Sequence, residues 1–319
     1  MLCADPTCTH DSSSCCAYMR SGATLSYYDG KLYWVADSQD NGDSYLYRGD
    51  LSGDNRKKVK RISFEDVIFP YQPQRYAIHR GNLYVLGSAG VVQGVEAGKR
   101  VTLLSSSLDD TEEFRVLYDE TFAWGVYTDF RFVGNQVYFF RVSFPKDGPA
   151  DMSVIRYDAI TGAAEIVYEE TGIEKALPDG FWVTDAGEIY FSGSSEECAY
   201  LWKLENGRRV EAAFWSGGSF SSPFLLDGIV LWVTRKDGQR FVEAQTLSGE
   251  LVYSGRLLPE EIPGLEGDPN KYSFAVIGGD ADKIILNLQS FTGNGLTDYT
   301  LMLDLHDNLK PTVFWSGQK

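Results

Sequence analysis

Apolar and polar positions alternate along almost the whole chain, and the alternation is cut at regular intervals by short polar turns. A polar or glycine-containing turn followed by an apolar-aromatic run recurs six times. The copies are DGKLYW (29–34), RGNLYV (80–85), GNQVYF (134–139), AGEIYF (186–191), DGIVLW (227–232) and ADKIIL (281–286). Each is followed by a second tight turn: LSGDN (51–55), SLDDT (107–111), ITGAA (160–164), LENGR (204–208), LSGEL (247–251) and LHDNL (305–309). Strict alternation over four to eight residues marks a half-buried strand, whereas a helix needs an apolar stripe at i, i+3, i+4 and i+7. No segment carries such a stripe beyond about two turns.

Each repeat therefore reads as four antiparallel strands, A to D, joined by hairpins. A sheet of that size cannot cover both of its faces, so neighbouring sheets must stack. The period predicts an all-β fold, a β-propeller of six blades with four antiparallel strands each, seven blades being the alternative count. A pair of β-sandwiches is the rival architecture, but the repeat runs through the middle of the chain with no linker. The domain reading is a Cys-rich segment at residues 1–20 and one propeller domain at 21–319. A meander places the A–B and C–D turns on one face of the disc and the B–C and D–A connections on the other. The first set is short and rich in Gly, Asp and Asn, as tight hairpins require. The second is expected to be long and varied, as in ETFAWGVYTDF (120–130) and RVSFPKDGPADM (141–152). Function resides preferentially in variable loops on a rigid scaffold, so the second face is the expected working face.

The chain has 319 residues and a formal charge of −16. That charge argues against nucleic acid as a partner, because such binding rests on cations meeting phosphates. It also disfavours docking on an anionic membrane, and no apolar run is long enough to span one. Aromatic residues make up 14% of the chain, including 19 tyrosines, and they suit pleated, half-buried strands. Exposed aromatics near the long connections are the candidate ligand contacts: Tyr71, Trp124, Tyr127, Trp182 and Trp215. Packing between blades is the competing role for each. Asp66, Asp129 and Asp179 fall in D–A connections, where they could line the central mouth, solvated surface acids being the competing reading. His10, His79 and His306 are scattered, with His79 and His306 in turns of the opposite face. No Gly-x-Ser-x-Gly elbow or His-Glu-x-x-His motif occurs. The one basic run, RKKVKR (56–61), falls on the predicted D strand of the first blade, where lysines discourage edge-to-edge pairing.

Four of the five cysteines lie in the first 16 residues, as Cys3, Cys8, Cys15 and Cys16, with His10 among them. Disulfides, a tetrahedral metal site and free thiols are all compatible with that spacing. Cys198 lies far away in the fourth repeat. The element LCADPTCTHDSSSCCAY followed by YYDGKLYW resembles the start of uncharacterised β-propeller lipoproteins of gut bacteria. These carry a Leu-Cys-x-x-Pro-x-Cys-x-His-x4-Cys-like element beside a Tyr-rich blade. The specific match covers about 35 residues, and the repeat pattern extends it along the chain. The resemblance implies an exported, surface-associated bacterial protein with no assigned activity. Only Met1 and Leu2 precede Cys3, so the family's signal peptide and lipid anchor are expected to lie outside this chain.

The functional expectation is an extracytoplasmic binding or scaffolding module, monomeric and without a cofactor, for a glycan, peptide or protein partner. The alternative is a lyase or hydrolase using carboxylates in the central mouth of the propeller.

Overall fold

The computed structural model describes residues 26–37, 44–51, 55–64, 76–93, 96–108, 113–195, 197–216, 219–220, 222–226, 228–257, 262, 272–279, 282–292, 295–307 and 310–318. Its elements are β-strands, and no helix occurs among the described residues. The Cys-rich segment, Tyr71 and Asp66 lie outside the described residues.

The chain divides into two compact units, residues 1–172 and 173–319. The first holds three sheets. Blade one is β1 (Ser26–Tyr28), β2 (Lys31–Asp37), β3 (Ser44–Gly49) and β4 (Lys57–Ile62). Blade two is β5 (Tyr76–His79), β6 (Asn82–Gln93), β7 (Glu96–Ser107) and β8 (Arg115–Phe122). Blade three is β9 (Gly125–Val133), β10 (Gln136–Phe144), β11 (Ala150–Asp158) and β12 (Ala164–Ile173), whose last residue falls in the second unit. In the second unit, blade four is β13 (Gly180–Val183), β14 (Ile189–Ser194), β15 (Cys198–Glu205) and β16 (Arg208–Ser216). Blade five has a split first strand, β17 (Ser219–Phe220) and β18 (Phe224–Leu226), then β19 (Ile229–Lys236), β20 (Gln239–Thr246) and β21 (Leu251–Arg256). Blade six is β22 (Tyr272–Gly279), β23 (Lys283–Thr292), β24 (Gly295–Asp304) and β25 (Lys310–Gln318). Every sheet is an antiparallel meander of strands consecutive in sequence. The fold is a six-bladed β-propeller, as the repeat predicts.

The turn chemistry explains why the meander forms. Asp29-Gly30, Arg80-Gly81, Asn206-Gly207 and Asp237-Gly238 all have positive φ at both residues. That is the type I′ geometry whose twist matches the flanking strands. At Arg80, with φ 49°, a non-glycine residue sits in the left-handed region. Its guanidinium donates to Asn135 Oδ1 in the equivalent turn of blade three. Beside it, His79 Nε2 donates to Gly134 O at 2.7 Å and the ring stacks on Phe132 with centroids 4.7 Å apart. These contacts fasten the turn face of blade two to that of blade three, giving His79 a structural task. His306 Nε2 likewise lies 2.8 Å from Asp282 Oδ1 in blade six.

Between blades, alternate side chains interdigitate. Tyr84, Leu86, Leu103 and Tyr118 of blade two meet Phe130, Val137, Phe139 and Tyr157 of blade three in one buried cluster. Leu231, Val242 and Ala244 of blade five meet Ile284, Leu286 and Leu303 of blade six in another. Burial raises the Tyr157 hydroxyl to about 12, because the phenolate would have to leave water.

Some connections of the expected working face are shorter than their sequence suggested. In the stretch 120–130 only Ala123 and Trp124 separate β8 from β9, and β19 turns into β20 through Asp237-Gly238 alone. The β-branched and aromatic residues of these stretches, such as Thr121, Phe122, Val126 and Tyr127, extend the ladders instead of forming loops.

Candidate functional site

The strand register of blade three sets Gly125 opposite Phe144 at the end of the β9–β10 pair. Trp124, one residue before β9, is 51% exposed, and Phe144 is 37% exposed. Lys146 stands over the Trp124 ring, its Nζ 5.6 Å from the centroid. Trp124 and Phe144 thus leave two partly exposed aromatic side chains at one end of blade three, a shelf with Lys146 over one face of the Trp124 ring. Large aromatic surface is normally withdrawn from water, and a face left open beside polar groups is what a stacking ligand uses.

The shelf has a firm base. Phe122, just before the two-residue link, is buried, and the Arg141 guanidinium lies 5.5 Å from its ring centroid. Arg141 donates to Ser153 Oγ at 2.8 Å and pairs with Glu120 at 3.5 Å. Tyr118 donates its hydroxyl to the same Glu120. Burial first, and then Glu120, raises the Tyr118 hydroxyl far above its ordinary value, so it stays a proton donor.

The other sequence candidates have other surroundings. Tyr127 is half-buried on β9, edge-on to Phe140 with centroids 6.0 Å apart. Trp182 packs edge-on against Phe224 at 4.8 Å, and Trp215 lies 4.5 Å from buried Trp232 while donating to Gln245 at 3.4 Å. Both tryptophans belong to the packing between blades four and five. Asp129 is interior to β9, accepting from the backbone of Phe130 at 2.7 Å and pairing with Arg131. Phe144 and Lys146 were not distinguished in the sequence, where SFPKDG reads only as part of a long connection. Cys198 is a free thiol, and Cys3, Cys8, His10, Cys15, Cys16 and Tyr71 lie outside the described residues.

A second group of polar side chains gathers in blade four. Asp179, just before β13, accepts from the Ser222 hydroxyl, and Ser222 Oγ lies 3.0 Å from Ser194 Oγ. Nearby, Cys198 Sγ is 3.1 Å from Ser195 Oγ. Asp179 is exposed as a residue, yet the protein packed around its carboxyl raises its pKa, against the lowering effect of Ser222 and Ser194. Desolvation also raises Tyr200, with Cys198 adding to the shift. A carboxyl with elevated proton affinity, linked to two hydroxyls, is able to exchange a proton with a bound molecule. Among the described residues no group of three or more His, Cys, Asp or Glu forms a metal site.

Neither a protein-family model nor a curated protein matches the sequence. Solved structures with the same architecture do. The chain is similar to the β-propeller domain of the Trilobed protease from Pyrococcus furiosus, with 11% identity and a TM-score of 0.52, covering 93% of this chain and 97% of that one. It is also similar to oligogalacturonate lyase from Vibrio parahaemolyticus, with 12% identity and a TM-score of 0.56 over 89% of this chain and 74% of the lyase. Prolyl oligopeptidase B from Galerina marginata matches over 93% of this chain at 9% identity and a TM-score of 0.52, but this chain spans only 42% of that enzyme. The match to a prolyl endopeptidase likewise spans 49% of the matched chain. At these identities the likeness is one of fold, and function must be argued from the site.

Proposed function

We propose that this propeller is an extracytoplasmic binding module that receives a glycan on the blade-three shelf, with Trp124 as the stacking surface. The observation that carries the reading is the contrast among the tryptophans: Trp182 and Trp215 pack between blades, whereas Trp124 stands half exposed beside Phe144 and Lys146. The placement outside the cytoplasm and the use of a lipid anchor rest on the resemblance of the Cys-rich element to gut-bacterial lipoproteins, and the protein acts as a monomer in this reading. A glycan array followed by titration of hits is the test. Trp124→Ala should weaken binding by about 1–3 kcal/mol, as truncation of a central aromatic contact does. Hits that bind the variant equally well would refute the site, and capture of peptides in place of sugars would change the ligand class.

A second reading is a carboxylate-based hydrolase or lyase, favoured by the Asp179–Ser222–Ser194 group. The likeness in fold to a lyase and to peptidase propellers is compatible with it and supplies no residue. Turnover of an oligosaccharide or peptide library that disappears in Asp179→Asn, with the fold intact, would support this reading over simple binding.

A further inference from the structure

The outer strand pair of blade four, β15 and β16, carries a column of flat side chains on one face. Tyr200 and Trp202 are alternate residues of β15, and Phe214 of β16 lies directly opposite Tyr200 in the register. The Tyr200 and Trp202 rings are 4.6 Å apart and inclined by 31°, and the Tyr200 and Phe214 rings are 6.4 Å apart and inclined by 24°. The Arg209 guanidinium covers Trp202, 5.0 Å from the ring centroid, and donates to Ala176 O at 3.0 Å. Arg209 and Phe214 are an odd number of residues apart, so simple alternation would put them on opposite faces of β16. The register shift between Leu201 and Trp202 brings them to the same face, because a slip of one residue turns over every side chain beyond it. The bulge therefore assembles the column. Arg209 closes it at the Trp202 end, and Phe214, 51% exposed, ends it in solvent. Among the described residues the Phe214 ring meets no aromatic ring but that of Tyr200.

Polar groups take over at the next step along the same two strands. Cys198 and Ser216 stand opposite each other, on the face that carries Tyr200 and Phe214. Ser216 is exposed, and its hydroxyl has no hydrogen-bond partner among the described residues. Cys198 Sγ is 3.1 Å from the hydroxyl oxygen of Ser195, which is also exposed. The column thus ends in an open ring with hydroxyls about 7 Å further along the strands, the spacing of alternate residues.

We propose that this face of blade four binds a neutral oligosaccharide, with one pyranose ring stacked on Phe214 and its hydroxyls hydrogen-bonded to Ser216 and Ser195. A pyranose presents a flat C–H face edged by hydroxyls, and here an exposed ring is bordered by hydroxyls in the same way. Other occupants match these groups less well. A peptide adding itself to the outer edge requires an unbroken ladder, and β16 is shifted in register. An acidic sugar requires a cation beside the open ring, whereas the guanidinium of the column stands at its closed end. A nucleobase would stack on Phe214, but the phosphates that follow it call for cations along their path. The site is built by blade four alone and does not rest on the function proposed for the Trp124 shelf.

The test is calorimetric titration of the whole protein carrying Trp124→Ala, which removes the other candidate stacking ring. The probes are cellohexaose, laminarihexaose and mannohexaose at millimolar concentration, and at least one should bind. Adding Phe214→Ala should weaken that binding about tenfold or more, as truncation of a central aromatic contact does. Phe214→Tyr should retain it. Phe214→Leu, apolar but without a flat ring, should lose as much as alanine, and it decides the matter if the alanine variant melts below the parent. Ser216→Ala should weaken binding about threefold, the loss of one hydrogen bond. The proposal is overturned if no hexaose binds the Trp124→Ala protein, and binding by the parent alone would then assign the sugar to the shelf. It is equally overturned if Phe214→Leu binds as well as the unsubstituted site, or if a Val-Thr repeat peptide binds more tightly than every hexaose.

Discussion

Replacing Gly180 by alanine should destabilise the protein, and a second substitution should reverse the effect. Gly180 lies directly opposite Ser192 in the β13–β14 pair. A Cβ at position 180 would meet Ser192 Oγ well below 3.0 Å, while Ser192 Cβ would stand at 3.5 Å and Trp182 Cη2 at 3.3 Å. The obstacle is therefore one hydroxyl, not the backbone. Ser192 is 1% exposed, and its Oγ is buried without a hydrogen-bond partner. Overpacking at such a position costs about 1–3 kcal/mol. Ser192→Ala removes the obstacle together with an unsatisfied buried oxygen, and should be neutral or mildly stabilising. In that background Gly180→Ala should be neutral, or stabilising by about 0.5–1 kcal/mol, because glycine inside a strand gives up more backbone freedom than alanine. Urea unfolding followed by tryptophan fluorescence, with Trp182 adjacent, measures all four corners of the cycle. A coupling of about 1–3 kcal/mol between the two sites is expected. Equal destabilisation by Gly180→Ala in both backgrounds would refute the steric account, and a loss of more than about 1 kcal/mol in Ser192→Ala would show that the hydroxyl is satisfied in solution.

Asp179 has a raised folded-state pKa caused first by desolvation, so its contribution favours folding below the unfolded carboxyl pKa and is lost as pH rises through the folded one. Asp179→Asn should therefore raise the unfolding temperature at neutral pH, with the advantage shrinking on acidification; a constant difference across pH would contradict this. Asp119 behaves oppositely, because the bidentate Arg100 contact at 2.8 and 2.7 Å, then Thr102, holds its carboxyl below the usual range. Its contribution is present above the unfolded pKa and lost as pH falls through the folded one. The pair is partly exposed, so Asp119→Asn should cost no more than about 1 kcal/mol at pH 7, read as a melting shift that vanishes at strongly acidic pH. Trp124→Ala should change stability by less than about 0.5 kcal/mol, as exposed positions do, whereas Trp215→Ala should cost about 3 kcal/mol or more. Similar losses at both sites would mean that Trp124 is a packing residue.

Much of the fold was legible because strand alternation and hairpin turns are local. DGKLYW and LSGEL each carry their own geometry: an apolar face of period two, and residues able to adopt positive φ. Six copies of that local information specify six meanders. The same signal overstated some of the connections. Phe122, Val126 and Tyr127 read as part of a long loop because the sequence does not reveal how far a ladder continues once a neighbour is present. The working residues were less legible still. Trp124, Trp182 and Trp215 are equivalent as letters, and only packing separates a half-exposed ring from two that fill the space between blades. Asp129 and Asp179 also look alike in sequence. One is tied to Arg131, and the other meets two serine hydroxyls, one of them from another blade. Periodicity determines which strands form and how they pair with their neighbours in sequence. Burial, partners and proton affinity depend on residues distant in sequence, so the tertiary structure alone decides which side chains remain open to a ligand.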